Sequence, residues 1–136
     1  MLNLEPLAAQ AANEMAGHDS KRANDAENII TKSLAVLAEQ GLYAFGLFLA
    51  TRKREQDKIP AQRIDQEARR LLQTTGLASA DQTRAPDMPS FYRSLTAAQP
   101  GESAADALRR ILLSKQLLET TLTYGRYAAK ALKNGD

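Results

Sequence analysis

The sequence predicts an all-α fold: a single-domain bundle of five or six helices closed by a long C-terminal helix. Three observations predict it. Ala, Leu, Gln, Arg and Lys dominate the composition, and these are helix formers. Aromatic residues are few, with three Phe, four Tyr and no Trp. No run of six or more residues alternates strictly between apolar and polar, whereas apolar residues recur at helical spacing in several stretches. A chain of 136 residues is long enough for one core without a disulfide or a metal, so residues 1–136 are read as one domain.

In chain order, Asn3 caps a first helix that runs to about Ala16, with Pro6 tolerated in its first turn. Leu7, Ala8, Ala11, Ala12 and Met15 give it a small-residue face. Gly17 and the polar run from His18 to Asp25 form a linker, and Asn24 or Asp25 caps the second helix. Ile30, Leu34 and Leu37 make that helix amphipathic until Gln40-Gly41 interrupts it. Leu42 to Leu49 is apolar almost all round. A helix of that kind is buried in a core or between subunits, and eight residues are too few to cross a bilayer, which takes about 20. It ends in Arg52-Lys53-Arg54, three adjacent cations with no acid among them.

Beyond these, Pro60 is placed as the first residue of another helix, with Ile64, Ala68, Leu71 and Leu72 as its apolar stripe and Gly76 past its end. Residues 78–89 have the composition of a flexible solvent loop. A short helix over Ser90–Ala98 is anchored by Phe91, Tyr92 and Leu95. Ser103, with Asp106 three residues on, starts the last helix, which runs to about Lys133 with Gly135 just beyond.

Composition narrows the chemistry. There is no cysteine and a single histidine, His18, so disulfides, thiolate chemistry and the usual Cys/His zinc site are excluded. His18 lies in a polar linker, and Asp19 and Ser20 beside it do not make a triad. There is no glycine-rich phosphate loop and no HExxH motif. No catalytic residue, cofactor site or metal site is expected. The net charge is only +2, so any nucleic-acid role depends on where the charge is placed.

Charge is concentrated in two places. One is Arg52, Lys53 and Arg54. The other is the last helix, where Lys115, Arg126, Lys130 and Lys133 fall within roughly 60° of one another at 100° per residue. Leu113, Leu117, Tyr124, Ala128 and Ala131 lie on the opposite side. Two readings fit such a stripe: contact with a phosphate backbone, or a solvated face whose C-terminal lysines complement the helix dipole. Tyr124 and Tyr127 fit either base stacking beside Arg126 or the core and its border.

Two segments carry a resemblance. Leu34–Lys53, LAVLAEQGLYAFGLFLATRK, and Leu108–Leu132, LRRILLSKQLLETTLTYGRYAAKAL, together about a third of the chain, resemble the small α-helical subunits of class 1 CRISPR effector complexes. The likeness is to the Cmr-type small subunit or its type I equivalent, the choice staying open because the terminal helix has no tryptophan. The resemblance implies a cytoplasmic, non-enzymatic subunit of an antiviral ribonucleoprotein. It implies contact with the backbone of the guide RNA–target duplex or the displaced strand, and assembly with other effector subunits, including further copies of itself. Base pairing to the guide carries the sequence information in such systems. The residues expected to touch nucleic acid are Arg52, Lys53 and Arg54 first, then Lys115, Arg126 and Lys130. Leu42, Phe45, Phe48 and Leu49 are expected at a partner interface. The competing reading is a helical interaction or oligomerisation module with no nucleic-acid role.

Overall fold

The computed structural model describes residues 3–135, and among them the chain is all helical. Seven α-helices follow one another: α1 (Glu5–Ala16), α2 (Ala23–Gln40), α3 (Leu42–Ala50), α4 (Glu55–Thr74), α5 (Ala80–Thr83), α6 (Met88–Leu95) and α7 (Ala104–Asn134). A 3-10 turn, Ser20–Arg22, precedes α2. The bundle with a long C-terminal helix is as expected. None of the described helices is long and apolar enough to cross a membrane.

Helix ends follow from local chemistry. Asn3 Oδ1 accepts the backbone N–H of Glu5 at 3.1 Å, so an orphan donor of α1 is satisfied. Ser103 Oγ does the same for Asp106 at 3.1 Å. Gly41 sits at φ 97°, a left-handed backbone that L side chains rarely adopt, and this sharp corner separates α2 from α3. Two starts differ from expectation. Asp19, rather than Asn24 or Asp25, caps the entry to α2, accepting from Lys21 N at 2.9 Å, so most of the expected linker is helical. α4 begins at Glu55, not at Pro60, because Asp57 N and Lys58 N already bond the carbonyl of Arg54. Pro60 then lies inside the helix, where its ring nitrogen leaves the carbonyl of the exposed Gln56 without its helical donor.

Four helices form the main layer. α7 lies against both α1 and α2. It is antiparallel to α2: Lys133 pairs with Glu27, Gly125 faces Ile30 and Lys115 reaches Ala38. It runs parallel to α1, with Leu113 beside Leu4 and Leu132 beside Gly17. α4 packs antiparallel on the far side of α1, Leu71 beside Leu7 and Arg63 over Gly17. Because two helices straddle α7, its buried arc is Ala107, Ser114, Leu117, Leu118, Thr121, Leu122, Gly125 and Ala129. Leu113, on the side of the wheel opposite the lysines, is exposed, and Tyr124, for which the core was one reading, is only partly buried. Ser114 and Thr121 are tolerated inside because each hydroxyl donates to a carbonyl one turn back, Arg110 and Leu117, both at 2.8 Å.

α3 and α6 form a second layer. Phe45 and Phe91 both meet Tyr92 edge-on, at 5.2 and 4.8 Å between centroids. Gly46 permits the approach: a Cβ there would lie 2.6 Å from Tyr92 Cδ2. The stretch 78–89, expected as a flexible loop, is instead strapped down. Ser79 and Gln82 make a reciprocal capping box for α5, Arg69 donates to the carbonyls of Thr83 (3.2 Å) and Ala85 (2.6 Å), and Asp87 caps α6.

Candidate nucleic-acid interface

Leu42, Phe45 and Leu49 are buried in the chain's own core, at 4%, 0% and 2% exposure, so the expectation that they meet a partner is corrected. The physical reason is α6. The apolar side of α3 that had no partner in the sequence reading is covered by Phe91, Tyr92 and Leu95. Truncating Phe45 to Ala would therefore cost about 3–5 kcal/mol of fold stability. Phe48 alone of the four stays at the surface, half-buried.

It is there that the first basic cluster is built. The Arg52 guanidinium stacks over the Phe48 ring, 3.8 Å from its centroid, and Arg52 Nε donates to the Phe48 carbonyl at 2.9 Å. Thr51 Oγ1 donates to the Leu47 carbonyl at 2.8 Å. Both side chains cap the C-terminus of α3, and the cation lies where the helix dipole favours it. Arg52 is thus a held, half-buried plane. Lys53 and Arg54 follow in the connector to α4, both exposed. Arg54 Nε lies 3.8 Å from Asp57, and Lys53 has no acid partner among the described residues.

The second basic cluster lies along α2, with Lys130 and Lys133 still exposed. Lys133 binds Glu27 at 3.0 Å, and Lys130 lies 3.9 Å from the same carboxylate. Lys115 donates to the Ala38 carbonyl at 3.2 Å and lies 3.9 Å from Glu119. Much of the stripe is therefore locally compensated, by contacts worth about 0–1 kcal/mol each where exposed. Arg126 is different. It is half-buried, its Nε is sealed from solvent, and no hydrogen bond or ion pair reaches it among the described residues. An unmet buried donor costs about 1–3 kcal/mol. Arg126 and Lys130 line an open groove of about 310 Å³ whose other wall is Asn24, Glu27, Asn28 and Thr31 of α2. This groove and the 52–54 connector belong to different helix pairs, α2 with α7 and α3 with α4, with α2 packing on both α7 and α3.

The α2 wall was missed in the sequence. Its signal was present, since Asn24, Asn28 and Thr31 recur at i, i+4 and i+7 on the flank beside the apolar stripe.

The remaining polar residues have local roles. His18 is exposed, 3.5 Å from Glu14. Asp19 is a cap, and Ser20 opens the 3-10 turn. Tyr127 is exposed. Among the described residues, no three His, Cys, Asp or Glu side chains are gathered in a way that could hold a metal ion. No protein-family model, curated protein or solved structure gives a significant match to this chain.

Proposed function

We propose that the chain is a non-catalytic small subunit of a CRISPR RNA-guided effector ribonucleoprotein, acting in the cytoplasm and holding a nucleic-acid strand by its backbone. The observation that carries the nucleic-acid part is the Arg52–Phe48 stack beside Lys53 and Arg54. A guanidinium plane fixed on an aromatic ring offers a face on which an unpaired base can stack, and the two exposed cations next to it meet phosphates. Such contacts tolerate any sequence, as a subunit requires when a guide RNA supplies the specificity. The assignment to a CRISPR complex rests on the resemblance of Leu34–Lys53 and Leu108–Leu132.

The test is single-stranded RNA binding by Lys53→Glu/Arg54→Glu and, separately, by Arg52→Lys. The reading expects the charge reversal to weaken binding most, and the lysine to keep the charge but lose the stacking part. Unchanged affinity in both would end it.

A second reading, the helical interaction module, is favoured by one observation of its own. The first turns of α7 run past the start of α1 and the end of α2, and they carry Leu108 and Leu112 at 57% and 49% exposure on one face. These leucines, with the neighbouring Leu113 and unlike Leu42, Phe45 and Leu49, offer an apolar surface open to another subunit. The two readings are compatible in an assembly and separate in the isolated chain, where only the first gives salt-sensitive RNA binding.

A further inference from the structure

The groove between α2 and α7 has the parts of an oxyanion site. Arg126, Lys130 and Lys133 bring three positive charges against the single carboxylate of Glu27. Lys133 holds that carboxylate at 3.0 Å, whereas Lys130 stands off at 3.9 Å. Lys130 can therefore turn to a ligand without stranding Glu27. Arg126 lines the groove with a guanidinium that no described acceptor engages, its Nε–H sealed and unpaired beneath it. On the facing wall Asn24, Asn28 and Thr31 make no side-chain hydrogen bond to another described residue, so two amides and a hydroxyl are available as neutral donors. A guanidinium, an ammonium and neutral donors around one concavity match a phosphate: charge for its charge, and separate donors for its several oxygens.

We infer that this groove is a phosphate site, in which Arg126 and Lys130 take the charge of a phosphodiester or a small phosphate ligand and Asn24, Asn28 and Thr31 bond its remaining oxygens. In its phosphodiester form the inference rests on the nucleic-acid reading and adds a second point of contact to it, on α7, separate from the Arg52 platform. As a small-phosphate site it stands without that reading.

The experiment is a titration of the full chain with inorganic phosphate and with a uridine octanucleotide, followed through the Arg126 side-chain Nε–H resonance, assigned by its loss in Arg126→Gln. The expected result is a saturable shift of that resonance with both ligands. Octanucleotide affinity should fall about tenfold in Arg126→Gln, the loss of one charge-assisted contact, and be only partly kept in Arg126→Lys. The rest of the amide spectrum reports whether each variant is folded; if Arg126→Gln is not, Arg126→Lys carries the comparison. Salt-sensitive octanucleotide binding with the Arg126 resonance unmoved and variant affinities unchanged overturns the site and leaves the nucleic-acid reading standing. Saturable phosphate binding at Arg126 without octanucleotide binding supports the site and assigns it to a small phosphate ligand, against the nucleic-acid reading. No shift with either ligand overturns the site.

Discussion

Tyr92 donates its phenolic hydrogen to Asp65 Oδ1 at 2.9 Å, and both residues are buried, one on α6 and the other on α4. Arg69 Nε reaches both oxygens of the same carboxylate at 3.1 Å, while its guanidinium lies 4.8 Å from the Phe91 ring and its Nη1 ties down the strap at Thr83 and Ala85. One buried carboxylate therefore fixes the second layer to the first. Tyr92→Phe is expected to destabilise by about 1.5–3 kcal/mol, the range for a hydrogen bond to a charged group. Burial first, and then the Asp65 carboxylate, push the Tyr92 phenol well above its usual range. A raised pKa gives a contribution fully present below the unfolded value of about 10 and lost as pH rises toward the folded one. Urea unfolding followed upward from about pH 9 should therefore show a steeper alkaline loss in the wild type than in Tyr92→Phe.

Two glycines separate close approach from ordinary contact. At Gly46 a Cβ would lie 2.6–2.9 Å from three Tyr92 atoms, whereas at Gly125 the nearest atom, Ile30 Cδ1, is 3.5 Å away. Gly46→Ala should destabilise, an overpacking cost of about 1–3 kcal/mol outweighing a helix-propensity gain of at most about 1. Gly125→Ala should be neutral or stabilising by up to about 1 kcal/mol. Urea midpoints of the two variants check this, and a midpoint for Gly46→Ala at or above the wild type would show that α3 and α6 are less tightly packed.

The parts of the fold visible in the sequence are those set by neighbouring residues. Asn3, Gly41 and Ser103 act through the next few backbone groups, and their roles follow from residue type and position. The burial of Phe45 was open between a core and a partner, because periodicity shows that a face is apolar but not what covers it. The face of α7 was misread for a related reason. A helical wheel places Leu113 and Tyr124 opposite the lysines, but the buried arc is chosen by α1 and α2, which approach over Gly125 and Ala129. The strap over 78–89 was only partly legible: Ser79 and Gln82 have capping-box spacing and Asp87 stands at a cap position, but Arg69, which ties down the Thr83 and Ala85 carbonyls, is on another helix. In the candidate site, the 52–54 cations were legible as a triplet, whereas the stacking of Arg52 on Phe48 needed the end of α3 to be placed.

Glu67 gives a prediction at neutral pH. Its carboxyl is pushed up, chiefly by burial, with Arg70 pulling it down and Glu14 pushing it further up. A raised carboxyl pKa gives stability fully present below the unfolded value of about 4.3 and lost as pH rises through the folded one. Ionised Glu67 is thus a burden at neutral pH, and the ion pair it makes with the exposed Arg70 at 3.3 Å is a weak offset. Glu67→Gln should raise the thermal midpoint at pH 7, with the gain shrinking as pH falls toward about 4. A gain independent of pH would assign the effect to packing instead.

Leu108 and Leu112 are expected to matter to assembly and not to folding. Leu108→Ser/Leu112→Ser should leave stability within about 0.5 kcal/mol of the wild type, as for exposed positions generally. In the assembly proposed above it should reduce association with further copies of the chain or with partner subunits, read by size-exclusion chromatography. The start of α7 is held to this chain by Arg110, which bonds the Leu95 carbonyl and Glu102, so a large loss of stability would show that Leu108 and Leu112 pack here as well.

The most direct test of the central claim is the affinity of the purified full chain for single-stranded RNA, measured across a salt series for the wild type and for Lys53→Glu/Arg54→Glu. The account predicts sequence-tolerant binding that weakens with salt, with a slope of log K against log salt of about −1.4 for the two phosphate contacts of Lys53 and Arg54 at about 0.7 each. The reversal should flatten that slope and lower the affinity. Binding insensitive to salt, no binding even at low salt, or a slope unchanged by the reversal would contradict it.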